Sequence, residues 1–224
     1  MTHYARQKKL LLAVDCIIFG FDGQELKLLL VKRGFEPMKG RWSLMGGFTG
    51  PGESADSAAN RVVTTLTGLD NIYMEQLQVF SDPKRDPVER TVSVAYYALI
   101  NLREYQQQLT ASYHAEWIPV NSLPKLIFDH SQMVAVAREK LKQKTKYQPI
   151  VFELLPEKFT LPQLHVLYEA IFDKTLDKRN FMRKILSAKL LIVQKDKDKS
   201  GSRRGAFYYR LDKKRYKKLL EPLM

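Results

Sequence analysis

The side chains best suited to chemistry fall into three groups. On the segment Lys178–Ala188, the residues Lys178, Arg179, Asn180, Arg183, Lys184 and Ser187 each offer a donor to a phosphate oxygen or a base edge. Phe181, Met182 and Ile185 fall within about 100° of one another on a helical projection, so they face a core and leave the polar group outside. A second group, Lys195, Lys197, Lys199, Arg203 and Arg204, crowds into a Gly/Ser-containing loop, where it is expected to supply sequence-independent charge to a polyanion. The third group is scattered through the first half. Asp15 is the only charged residue between Leu10 and Phe21, and a carboxylate in an apolar strand must be paired or must bind something polar. Arg33, Lys39, Arg41 and Trp42 surround a glycine-rich loop, and Arg85, Asp86, Glu89 and Arg90 lie on a connection between strands. All of these join Asp15 as candidates for a polar ligand, with an ordinary structural role or mutual pairing as the alternative. Asp129-His130 resembles a catalytic pair, but at a helix start it reads as a cap with a partly exposed ring. One cysteine, Cys16, and four histidines give no internal disulfide and no zinc spacing, so no structural metal is expected.

The elements that must position these groups follow from periodicity. Leu10–Phe21 and Leu26–Arg33 flank Asp22-Gly23 and predict a β-hairpin. Strands are expected at Tyr73–Phe80, Thr91–Leu102 and Ala115–Val120. Between them, Ser54–Leu66 places Ala55, Ala58, Ala59, Val62, Val63 and Leu66 on one helical face, with Ser54 to cap its start and Gly68 to end it. A second helix is predicted from His130 to about Lys142, capped by Asp129, with Lys140–Tyr147 as linker. Beyond it, Thr160-Leu-Pro-Gln163 is a capping box opening a helix to Phe172, and Asp177 caps the basic helix. Strands at Leu190–Gln194 and Ala206–Leu211 complete the order helix, turn, basic helix, basic hairpin, which is that of a winged helix-turn-helix. A small helical protein-interaction domain with a solvated hairpin is the alternative.

With 224 residues, 45% hydrophobic and 27% charged, the chain has the composition of a folded soluble protein rather than a disordered one. Its longest apolar run stops short of the roughly 20 residues that a bilayer span needs, and a polar N-terminus without a secretory signal predicts a cytoplasmic protein. The net charge is +13, and 18 of the 37 cations fall in residues 151–224. Such a field attracts polyanions, of which nucleic acid is the commonest in cytoplasm.

Gly47, Glu53, Arg61, Val63 and Gly68-Leu69 stand at the spacings of the Nudix box, G-x5-E-x7-R-E-U-x-E-E-x-G-U. The frame is kept, but the three remaining glutamate positions hold Val62, Thr65 and Leu66. In the family those carboxylates ligate Mg²⁺ or Mn²⁺ and help to activate water, so the resemblance implies a Nudix scaffold without its hydrolase chemistry, with no catalytic residues, bound metal or other cofactor expected. Glu53 stays among the ligand candidates. Val14–Gly20, Arg41–Phe48, Phe80–Pro87, Trp117–Val120 and Leu123–His130 resemble the Nudix-related, NrtR-like transcriptional regulators, with Met45 where the family has Pro. The resemblance implies an α+β chain: a Nudix-like α/β/α sandwich over residues 1–147, then a winged helix-turn-helix over residues 148–224. It further implies a homodimeric repressor that binds double-stranded operator DNA and releases it on taking up a small-molecule effector. Overall likeness is greatest to the arabinose-responsive AraR branch of Bacteroidetes, implying L-arabinose as effector and control of carbohydrate metabolism. The alternatives are ADP-ribose in a regulator of NAD metabolism, a residual pyrophosphohydrolase, and an RNA-associated accessory protein.

Overall fold

β1 (Leu11–Phe21) and β2 (Leu26–Lys32) form a hairpin, as the Asp22-Gly23 dipeptide predicts. Asp22 Oδ1 accepts from the amides of Gln24 and Glu25, each at 2.8 Å, and Gly23 takes φ 100°, which a side chain would resist. The computed structural model describes residues 7–70, 72–102, 115–199 and 204–220. The hairpin sits inside a seven-stranded sheet with β3 (Trp42–Ser43), β4 (Met45–Phe48), β5 (Glu75–Phe80), β6 (Thr91–Asn101) and β7 (Ala115–Pro119). The order is β3-β2-β1-β6-β5, with β4 also on β1 and β7 also on β2. Burial of β1 on both faces from Val14 onward explains why its sequence is continuously apolar rather than alternating.

Helix α1 (Ala55–Thr67) begins and ends where its caps predict. Ser54 accepts from the Ser57 amide, Gly68 closes the helix at φ 73°, and Ala58, Ala59, Val62 and Val63 are buried. Helix α2 runs His130–Tyr147, five residues past its predicted end, so the expected linker at Lys140–Tyr147 is helical. The reason is a buried series, Met133, Ala137, Leu141 and Thr145, spaced by four. Its last member is a threonine whose hydroxyl bonds the Leu141 carbonyl at 2.7 Å, so it carries no apolar signal. Asp129 is not a side-chain cap: its carboxylate takes Arg85 instead.

By its own contacts the chain divides into two compact units, residues 1–20, 27–99 and 105–140 in the first, and residues 21–26, 100–104 and 141–224 in the second. The second unit has a 3-10 turn at Ile150–Leu154, β8 (Phe159–Thr160), α3 (Leu161–Phe172), α4 (Lys178–Ser187), β9 (Leu191–Asp198), β10 (Ala206–Leu211) and α5 (Lys213–Leu220). The three strands form a sheet in the order β8-β10-β9. This is the winged helix arrangement, and both halves of the predicted capping box, Thr160 and Gln163, are made. Among the described residues no helix is long and apolar enough to cross a membrane.

Candidate ligand pocket and nucleic-acid interface

A cavity of about 420 Å³ opens in the first unit, within the usual size of small-molecule sites. Its walls come from β1 (Ala13, Asp15), the β2 end and following loop (Val31–Phe35), β3 and β4, α1 (Thr65, Leu66), the Arg85-Asp86 connection, and the entry to α2 (Phe128, His130). Its floor is a buried polar network. Asp15 Oδ2 accepts from Ser93 Oγ at 2.6 Å and from Arg85 Nη2 at 3.3 Å, while Arg85 Nε and Nη2 donate to Asp129 at 2.9 and 3.0 Å. One guanidinium thus pairs with both carboxylates, so neither acid is left without a partner, and the three groups keep one negative charge in excess.

His130 completes the network. The Leu44 amide donates to its Nδ1 at 3.1 Å, which leaves the proton on Nε2, 3.5 Å from Asp15 Oδ1. Burial pushes the imidazole below its ordinary value and outweighs the opposite pull of Asp15 and Asp129, so the ring is neutral. Strand pairing sets Asp15 opposite Gly46, where a Cβ would run into the carboxylate, so only glycine fits beside that side chain. At the rim, the Arg33 guanidinium lies 4.0 Å from the Phe35 ring centre and 5.4 Å from that of Phe128, and its Nε donates to the Phe35 carbonyl at 3.2 Å. Phe128 holds φ 47°, an unusual conformation for a bulky residue, at the turn that delivers His130.

Of the sequence candidates, Asp15, Arg33, Arg85 and Asp86 line the cavity; Lys39, Arg41, Trp42, Glu53, Glu89 and Arg90 do not. Each of these six has another place. Glu53 accepts from Arg61 at 2.7 and 2.8 Å and from the Gly50 amide at 2.9 Å, and that partnership holds its carboxyl down at about 2. The pair braces the glycine loop, with Arg61 also donating to the Phe48 carbonyl. Arg90 donates to the carbonyls of Ser81, Asp82 and Thr91 and so ties its own loop. Trp42 acts through its backbone: its carbonyl accepts from the Ile127 amide at 3.1 Å and holds the segment leading to Phe128 and His130. Lys39, Arg41 and Glu89 are exposed. Sequence reasoning missed Ser93, Phe35, Phe128 and Thr65, and it gave His130 a half-exposed ring although the side chain is buried. The one available signal was the glycine-rich Arg41–Phe48 loop, since glycine facing a buried acid marks a close approach.

Divalent cations do not fit here. Val62 is buried beneath Gly47, Thr65 and Leu66 turn to the cavity, and Asp56 accepts from the Tyr96 hydroxyl at 2.5 Å. Among the described residues no group of three or more His, Cys, Asp or Glu side chains is placed to hold a metal ion.

In the second unit, α4 buries Phe181 in edge-on contact with His165 and Tyr168, ring centres 5.0 and 5.1 Å away. The turn before it is fixed by Glu169, which accepts from the Leu176 amide at 2.8 Å, and by His165 against the Leu176 carbonyl at 2.9 Å. Asp177 then caps α4 through the Asn180 amide. Lys178, Arg179, Asn180, Arg183, Lys184 and Ser187 are all exposed. Asn180 Oδ1 accepts from Arg183 at 2.9 Å, and the Ser187 hydroxyl donates to the Lys184 carbonyl. The expected flexible loop is shorter than its sequence implies. Lys195 and Lys197 belong to β9, with Lys197 paired to Phe207 and its ammonium 4.2 Å from that ring centre. Lys199 follows the strand and Arg204 lies in the turn, whereas Arg203 lies outside the described residues.

Comparison with known proteins agrees with both halves. The NUDIX domain family matches residues 9–138, and the NrtR DNA-binding winged helix domain family matches residues 151–211. The ADPR responsive transcriptional repressor NtrR of Acinetobacter baylyi is 36% identical over 204 residues, covering 89% of this chain and 81% of that protein. The crystal structure of Shewanella oneidensis NrtR complexed with a 27mer DNA superposes with a TM-score of 0.77 at 34% identity, covering 89% of this chain and 93% of that one. The NUDIX domain of the same protein complexed with ADP ribose gives a TM-score of 0.54 at 36% identity, over 63% of this chain and 94% of that one.

Proposed function

The chain belongs to the NrtR-like family of Nudix-domain regulators, and from that membership we propose that it is a DNA-binding repressor released from its operator by a small molecule held in the Asp15–Arg85–His130 cavity. The observation that carries this reading is the state of α1. At the family's metal positions it presents Thr65 and Leu66 to the cavity, which keeps a binding site and removes the means to hydrolyse what it binds. The effector we assign is ADP-ribose, the ligand in the names of the relatives. Arg33 lines the cavity, where a guanidinium suits a diphosphate, and the Phe35 and Phe128 rings against which it packs add apolar surface to the same walls. The relatives named above point to ADP-ribose and lend no support to the L-arabinose expectation. It is kept as a second reading on one observation: Arg85 is already shared by two carboxylates, and a lining with Asp15, Asp86 and His130 suits hydroxyl groups better than phosphates. The protein acts as a homodimer in this proposal, because paired recognition helices match half-sites about one DNA turn apart.

Calorimetry and thermal unfolding with ADP-ribose and with L-arabinose test the assignment, followed by displacement of a selected operator. ADP-ribose is expected to bind and to release DNA. Binding and release by L-arabinose alone would establish the second reading, and no response to either would overturn the effector proposal. Mg²⁺-dependent turnover of ADP-ribose that disappears in Glu53→Gln would overturn the non-hydrolytic reading.

A further inference from the structure

We propose that α5 is a third DNA-contacting element, gripping backbone phosphates beside α4 and the β9–β10 hairpin. This inference rests on the DNA-binding reading above and extends it to a helix outside the matched winged helix domain, which ends at residue 211. Residues 213–218 read Lys-Lys-Arg-Tyr-Lys-Lys, five cations with no acidic residue among them. Lys213, Lys214, Arg215 and Lys217 are exposed, and Lys213, Lys214 and Lys217 make no ion pair with a described residue. Like charges one helical turn apart, such as Lys213 and Lys217, oppose helix formation. Surfaces that need only solvation mix their signs, as Lys158 before β8 and Asp196 on β9 do at 2.7 Å.

The helix is nonetheless firmly built. Asp212 caps it, Oδ1 accepting from the Arg215 amide at 3.0 Å and the carbonyl from the Tyr216 amide at 2.9 Å. Tyr216 is half-buried, and burial pushes its phenol upward, so that face anchors the helix. Its location supplies the second argument. The Asp212 amide donates to the Leu190 carbonyl at 2.8 Å, and Arg215 Nη1 donates to the Lys189 carbonyl at 3.2 Å. Both acceptors follow directly on Ala188, the C-terminal cap of α4. The cations of α5 therefore begin where those of the recognition helix end. The partner that fits a second row of fixed, unpaired cations there is the phosphate backbone flanking the major groove, a contact that positions the protein without reading sequence.

The test uses the full chain, with fluorescence anisotropy on two duplexes of unrelated sequence and equal length across a KCl series. In the variant K213Q/K214Q/K217Q, affinity for both duplexes is expected to fall by the same factor, roughly tenfold at low salt. The slope of log affinity against log salt is expected to shrink by about 1 to 3 units. K213R/K214R/K217R keeps the charge and should keep the wild-type slope. If circular dichroism shows the triple glutamine variant unfolded, K214Q alone is measured, with an expected slope change of about 0.9. A wild-type slope in the glutamine variants, while Arg183→Ala weakens binding, would overturn the role of α5 and leave the DNA-binding reading standing. Failure of the wild type to bind either duplex would overturn both.

Discussion

The floor of the cavity and the outer face of α4 are both rich in charge, and they dispose of it in opposite ways. Asp15 and Arg85 are buried, Asp129 is half-buried, and the three are paired with one another, so their charges specify geometry rather than meet a partner from solvent. Lys178, Arg179 and Lys184 are exposed and have no acidic partner among the described residues, so their charge is free for a partner. The difference separates two uses of an ionic side chain. A paired buried ion holds a cavity in shape, because the cost of leaving either member alone is large. An unpaired surface ion contributes little to folding and much to recognition of a polyanion.

The sharpest way to break this comparison is to remove Arg85. Arg85→Ala strands the buried Asp15 and the half-buried Asp129 and is expected to destabilise the protein by about 3 to 5 kcal/mol, read by urea unfolding, with loss of effector binding. A change below about 1 kcal/mol would mean that water or relaxation satisfies Asp15 and Asp129, and that the floor is not an ionic frame. On the other side, Arg183→Ala is expected to leave stability within about 0.5 kcal/mol of wild type. It is expected to weaken binding to a selected operator by about 1 to 3 kcal/mol and to narrow the preference over random DNA. If Lys197→Ala loses that discrimination and Arg183→Ala keeps it, then the strand and not the helix reads the bases.

How far the sequence carries differs between the same two regions for a physical reason. Local signals were enough for α1, α3 and α4, whose caps at Ser54, Thr160 and Asp177 each act within three residues. They were enough for Asp15 too, since one charge in an apolar strand is conspicuous. They failed where the decisive interaction is distant in the chain. Ser93 and His130 meet Asp15 across 78 and 115 positions, and no periodicity announces such a meeting. Glu53 stands at a motif position that is functional in the family, yet Arg61, two turns into α1, takes its carboxylate for the loop. Lys195 and Lys197 looked like loop residues because an exposed wing strand carries no apolar alternation, and only the pairing with β10 reveals it.

A smaller effect sharpens the second region. Asp177→Ala removes the side-chain cap of α4 and is expected to cost about 1 kcal/mol of stability. Because the turn is also tied by Glu169 and His165, the helix is expected to stay docked through Phe181. Operator affinity is therefore expected to fall less than in Arg183→Ala. An equal or larger fall would show that presentation of the helix, and not the side chains on it, limits binding.

His130 is the ionisable member of the buried floor that carries no charge. Asp15 and Asp129 face it from β1 and the α2 entry and favour its protonation, while Arg85 and Arg33 oppose it, and burial decides for the neutral ring. Its folded-state value therefore lies below the ordinary 6.5. As pH falls through 6.5 the unfolded chain takes up a proton that the folded chain refuses, so stability declines below that point, and above it the residue contributes no pH dependence. Urea midpoints measured from about pH 7.5 down to about pH 5 are expected to fall in the wild type more steeply than in His130→Gln, which cannot titrate. Effector affinity is expected to decline over the same range, since a proton on Nδ1 would break the bond from the Leu44 amide and push β3 from the floor. Parallel slopes in the two proteins would mean that His130 is protonated without cost, with Asp15 as its counter-ion. The floor would then be an ionic cluster of four charged groups, not three charges held around a neutral ring.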